Sequence, residues 1–133
     1  MKKITIGGKD YTFEFTMEAS LNEDCVTRVS EFMYLTFEAQ DSEDLKKVVA
    51  DTLSSTANTA LSLFYAGLLE HHGGEIKSKE DAKNLIKVYF SENEENADWY
   101  SILEMMLETM MDDGFFKLIG LDKMVKRSEQ TEG

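Results

Sequence analysis

The sequence predicts a mainly α (α+β) fold, with a short N-terminal β-hairpin packed on a bundle of about four to five helices. Three observations predict it. Proline is absent from the 133 residues, where an average usage of about 5% would place about six or seven. Proline breaks helix interiors and punctuates loops, so its absence favours long helices joined by glycine and polar turns. From residue 20 onward, apolar side chains recur mainly at helical spacing. Only the first 17 residues alternate apolar with polar, the period of half-buried strands. The length suits one domain of the usual size, roughly 100–200 residues. We place it at residues 1–121, with the hairpin at 1–17 and a polar, flexible tail at 122–133.

In the hairpin, Ile4 and Ile6 share one face of the first strand. Tyr11, Phe13, Phe15 and Met17 share one face of the second. Gly7-Gly8-Lys9-Asp10 supplies the loop between them. A lone two-stranded hairpin is marginal in water, so its aromatic face must cover something. Its strand edges are also open to pairing. Self-association is therefore expected, with Tyr11, Phe13 and Phe15 near the contact.

Ser20-Leu21-Asn22-Glu23 has the spacing of a capping box, and Leu21, Cys25, Val29, Phe32 and Met33 follow at helical spacing to about Phe37. Gln40-Asp41-Ser42 interrupts the pattern. Glu43 and Asp44 suit the first turn of the next helix, whose stripe is Leu45, Val48, Val49 and Leu53. Thr52 to Thr56 is poor helix former and is expected to kink or divide this segment. The strongly apolar run Ala57, Ala60, Leu61, Phe64, Tyr65, Leu68 and Leu69 is the expected central helix, stopped by Gly73-Gly74. Ser78 starts the next helix, with Ala82, Leu85, Ile86, Tyr89 and Phe90 on one face. The last long helix carries Trp99, Ile102, Leu103, Met106, Leu107 and Met110, with Gly114 to close it. Phe64, Leu68, Leu85, Tyr89 and Ile102 are expected to form one buried cluster.

Composition excludes several functions. The 26 acidic and 14 basic residues leave a net charge of −12, which repels phosphate backbones and anionic lipid. Neither nucleic-acid nor membrane binding is expected. No run approaches the roughly 20 apolar residues of a membrane span, and the N-terminus does not resemble a signal peptide. The single cysteine, Cys25, fits a reducing compartment. These features together predict a soluble, cytoplasmic protein.

Few residues suggest chemistry. His71 and His72 are adjacent, so on a helix they point about 100° apart and do not chelate one metal as an i, i+4 pair would. Facing the negative end of the helix dipole is their simpler role. Cys25 lies on an apolar stripe and reads as a buried residue rather than a nucleophile. Glu92-Asn93-Glu94-Glu95-Asn96 lacks the glycine of an EF-hand loop. Asp112-Asp113-Gly114 is an acidic helix end, unfavourable against the dipole. Neither glycine pair fits a phosphate-binding motif. No enzyme activity and no cofactor are expected.

One segment stands out. Between Lys87 and Lys117 there is no lysine or arginine, whereas Glu92, Glu94, Glu95, Asp98, Glu104, Glu108, Asp112 and Asp113 contribute eight negative charges. Met105, Met106, Met110 and Met111 lie within it, ahead of Phe115-Phe116. Methionine re-packs around different partners, and an apolar stripe edged by carboxylates suits a basic amphipathic helix. Met106 and Met110 are expected to face the core. Met105 and Met111 lie off that stripe and are open to either reading. The candidate partner-binding residues are Asp98, Glu104, Met105, Glu108, Met111, Phe115 and Phe116.

Three stretches resemble the tail assembly chaperones of long-tailed phages and prophages of Gram-positive bacteria. Ile4-Thr5-Ile6-Gly7-Gly8-Lys9-Asp10-Tyr11-Thr12-Phe13-Glu14-Phe15 resembles their N-terminal hairpin, and Ala60-Leu61-Ser62-Leu63-Phe64-Tyr65-Ala66-Gly67-Leu68-Leu69 their central apolar helix. The polar loop and capped helix that follow, with Ile102-Leu103-Glu104-Met105-Met106-Leu107-Glu108, resemble their C-terminal half. The likeness spans about residues 1–121 and is one of pattern, without an invariant motif. It implies a non-enzymatic protein that keeps the long helical tape measure protein soluble and helps bring major tail protein subunits onto it. Such proteins act in the host cytoplasm and are absent from the mature virion. Many are made in two forms through a translational frameshift, which would make the polar tail a link to an extension. The alternative from another class is an acidic inhibitor or DNA mimic that blocks a basic partner protein.

Overall fold

The computed structural model describes residues 1–41 and 45–124. Strand β1 (Lys2–Ile6) pairs antiparallel with β2 (Lys9–Phe13), Ile6 opposite Lys9 and Lys2 opposite Phe13. The turn is the two residues Gly7 and Gly8, at φ 60° and 78°. Positive φ at both positions gives a tight turn whose twist matches the strands. This turn is tighter than the sequence suggests, and it brings Lys9 and Asp10 into the ladder. The second strand is also shorter. Pairing ends at Phe13, and Met17 opens helix α1 (Met17–Ser20) with its side chain 59% exposed.

Among the described residues five further helices follow: α2 (Glu23–Asp41), α3 (Leu45–His72), α4 (Lys79–Glu92), α5 (Trp99–Asp112) and α6 (Phe115–Leu118). The expected Ser20 capping box does not form. The Ser20 hydroxyl donates to the Met17 carbonyl at 2.7 Å, closing α1. Asn22 caps α2 instead, its Oδ1 accepting from Cys25 N–H at 2.8 Å. Leu21 falls between the two helices and points outward rather than joining the stripe. Ser78 does cap α4, accepting from Asp81 N–H at 3.2 Å. The expected first turn at Glu43 and Asp44 lies outside the described residues, as does the tail from residue 125.

Thr52 to Thr56 does not divide α3, which runs from Leu45 to His72. The hydroxyls of Ser54, Ser55 and Thr56 donate to carbonyls three or four residues back, at 3.0, 3.0 and 2.7 Å. Their polar groups are thus satisfied within the helix.

The C-terminal half of α3 is the centre of the core. Ala60, Leu63, Phe64, Ala66 and Leu68 are buried, with Ile86 of α4 and Ile102, Leu103, Met106 and Met110 of α5. Of the expected cluster, Phe64, Leu68 and Ile102 are fully buried, while Leu85 and Tyr89 pack half-buried against them. The chain just beyond β2 crosses α3 at Gly67, whose carbonyl accepts from Glu14 N–H at 2.9 Å. A Cβ on Gly67 would stand 2.9 Å from Phe15 Cζ and 3.1 Å from Phe13 Cδ1. Glycine costs a helix about 1 kcal/mol relative to alanine, and here it admits two aromatic rings. Phe13 lies 4.8 Å from the Phe64 ring, and Phe15 meets Phe115 edge-on at 5.9 Å.

Toward its N-terminus α3 loses this cover. Val49 and Leu53 are 53% and 69% exposed, so they are not the core stripe the sequence suggests. At the buried half, Lys79 Nζ donates to Ser62 Oγ at 3.1 Å and pairs with Asp24 at 2.8 Å, joining α2, α3 and α4. Burial pushes the Asp24 carboxyl up, but Lys79, Ser62 and Arg28 outweigh it and hold the group below its ordinary value. No described helix is long and apolar enough to cross a membrane.

Candidate functional site

Helix α5 is built to show two faces. Asp98 starts it: its Oδ1 accepts from Ser101 N–H at 2.7 Å, while Ser101 Oγ accepts from Asp98 N–H at 3.0 Å. Asp113 ends it, followed by Gly114 at φ 70°. Ile102, Leu103, Met106, Thr109 and Met110 face the core, and the Thr109 hydroxyl is satisfied by the Met105 carbonyl at 2.8 Å. Tyr100, Glu104, Glu108 and Met111 point outward. Their spacings of four, four and three residues make one stripe, about 16 Å long at 1.5 Å per residue. Its apolar ends are Tyr100, 63% exposed, and Met111, 70% exposed. Two carboxylates lie between them.

The structure divides the seven candidate partner-binding residues. Glu104, Glu108 and Met111 share the outward face. Asp98 is exposed, but its carboxylate is engaged as the helix cap. Met105 is half-buried, with the Tyr89 hydroxyl 3.9 Å from its sulfur. Phe116 is half-buried as well. Phe115 is fully buried in this chain's core and is corrected from surface to interior. Its ring is drawn in because α6 folds back toward Phe15. Tyr100 is the residue missed by sequence reading. Its phase, one turn before Glu104 and opposite Ile102, was the available signal.

Asp113 also departs from expectation. Its carboxylate accepts from Phe15 N–H at 2.9 Å and pairs with the terminal ammonium of Met1. An acid that works against the dipole of α5 thereby fastens the hairpin to it.

The side chains of the hairpin residues expected at an oligomer contact turn inward. Phe13 and Phe15 are fully buried and Tyr11 is 9% exposed, so the three rings face this chain's own α3 and α6. The backbone at and beyond the outer edge of β2 is engaged too. Thr12 N–H donates to His72 Nε2 at 3.0 Å, Glu14 N–H to Gly67 and Phe15 N–H to Asp113.

The histidines lie in the last turn of α3 as expected, and each also holds the hairpin. His71 Nε2 stands 3.2 Å from Glu14 Oε1, and His72 Nδ1 stands 3.1 Å from Glu75 Oε1. Because His72 accepts at Nε2, its ring proton is assigned to Nδ1 and donated to Glu75. Cys25 is buried, and burial followed by the nearby Asp24 charge pushes its thiol up to about 12. That makes it a poor nucleophile. Among the described residues no group of three or more His, Cys, Asp or Glu is placed to hold a metal ion.

The chain matches no family model, no curated protein and no solved structure.

Proposed function

We propose that this chain is a tail assembly chaperone, a non-enzymatic protein that binds and solubilises a tape measure protein and helps recruit major tail protein in the bacterial cytoplasm. The observation that carries the reading is the outward stripe of α5, in which Glu104 and Glu108 lie between exposed Tyr100 and Met111. Carboxylates accept charge-assisted hydrogen bonds from lysine and arginine. The aromatic and thioether groups add apolar contact that adapts to the partner. Together they suit a basic amphipathic helix, the kind of segment a long helical client offers. The resemblance of the hairpin, the central helix and the C-terminal half supports the same reading. A DNA mimic has less use for Tyr100 and Met111 within its acidic face.

Co-expression with a tape measure protein tests the proposal, with the client's soluble fraction as the readout. Wild-type chain is expected to raise that fraction. The double substitution Glu104→Lys and Glu108→Lys is expected to abolish the gain while the helical circular dichroism spectrum persists. Salt should weaken the complex, because rim charges act through screened attraction. A well-folded double mutant that solubilises the client as well as wild type does would overturn the assignment of the face.

A further inference from the structure

We infer that His72 is a proton-sensitive latch that holds the outer edge of β2 to α3. Its imidazole hydrogen-bonds β2 as an acceptor at Nε2, 3.0 Å from Thr12 N–H. A second proton on the ring goes to Nε2. The protonated ring has two donors and no acceptor, so two N–H groups would then face each other. Thr12 is half-buried, and its amide must turn toward water to recover a partner.

The groups around the ring set its tautomer. Glu75, just beyond α3, accepts a hydrogen bond from Nδ1–H. From β2, Lys9 pairs with the same Glu75, and its ammonium stands 5.3 Å from the Tyr11 ring centroid. The Tyr11 ring is in turn 5.1 Å from the imidazole. The hydrogen bond from Lys9, then that from His72, holds the Glu75 carboxyl below its ordinary value, so Glu75 is ionised wherever an imidazole titrates. On α3, His71 lies 6.5 Å away and faces Glu14. Protonation of His71 strengthens its pairing with that carboxylate, the opposite effect on the hairpin. The bonds from Glu14 N–H to Gly67 and from Phe15 N–H to Asp113 involve no imidazole. The latch therefore opens at Thr12, and the crossing at Gly67 stays closed.

Amide NMR across a pH titration, carried down until the His72 ring protonates, tests this directly. The His72 ring is followed by its own Cε1–H resonance. The Thr12 amide is expected to shift with the midpoint of His72. Its exchange protection, corrected for the intrinsic rate, is expected to fall about five- to tenfold, the loss of one neutral hydrogen bond. The Glu14 amide should keep its protection. His71→Gln should leave the Thr12 response unchanged, and His72→Gln should abolish it. The wild-type titration alone is decisive should a variant fail to fold. A Thr12 amide that stays flat while the His72 ring protonates, or one that follows His71 instead, would overturn the inference.

Discussion

One face of α3 runs through two environments. Val49, Leu53, Ala60, Phe64 and Gly67 are separated by four, seven, four and three residues, so they lie along one side of the helix. At the C-terminal end, Ala60 and Phe64 are buried and Gly67 receives two aromatic rings. At the N-terminal end, Val49 and Leu53 are more than half exposed. The same apolar pattern therefore contributes to stability at one end and very little at the other. What differs is the cover: a hairpin that crosses where glycine lets it approach. Apolar spacing marks a face that can be buried, while the small residue marks where it is.

Four substitutions would break or sharpen this contrast. The largest effect is expected from Phe64→Ala, which empties a site packed against Phe13 and should cost about 3–5 kcal/mol in a urea melt. Gly67→Ala comes next. The added methyl meets Phe15 at 2.9 Å, and displacing the ring should cost about 1–3 kcal/mol, more than the gain in helix propensity returns. A neutral or stabilising Gly67→Ala would show that the hairpin can lift from α3 at little cost.

Asp24 is tied through Lys79 to Ser62 in the buried half of α3, and its contribution depends on pH. Its carboxyl is lowered in the folded chain, so its stabilising effect is present above the unfolded value of about 3.9. That effect is lost as pH falls through the lower folded value. Asp24→Asn should flatten this part of the acid limb of the denaturation midpoint, by under about 1 kcal/mol, because the pair is solvent-screened. Leu53→Ala should move stability least, within about 0.5 kcal/mol. A loss comparable with that of Phe64→Ala would mean that the exposed end of α3 is covered in solution.

Reading the sequence located the elements better than their joints. Ser78 and Gly114 were legible because each stands alone at a change of pattern. Ser20 misled because Ser-x-x-Glu spacing also fits a residue two positions before the real cap, Asn22, and periodicity cannot choose between them. Thr52 to Thr56 misled because propensity does not count the carbonyls those hydroxyls reach back to. In the candidate face, Glu104, Glu108 and Met111 followed from their helical phase. Phe115 did not, since an apolar pair in a short helix has no period long enough to fix which ring turns inward. The roles of Asp113 and His72 had no sequence signal at all. Their partners, Phe15 and Thr12, lie 98 and 60 positions away.

That separation sets an order of events during synthesis. The rings of Phe13 and Phe15 leave the ribosome well before the residues that receive them. Gly67 follows later, and Asp113 comes 98 residues after Phe15. At about 5–20 residues per second, the second interval is about 5–20 s. A hairpin pairs within microseconds but has little stability of its own. The nascent chain therefore carries an uncovered aromatic ribbon for seconds, and the hairpin, made before α3 and α5, is among the last of these elements to be secured.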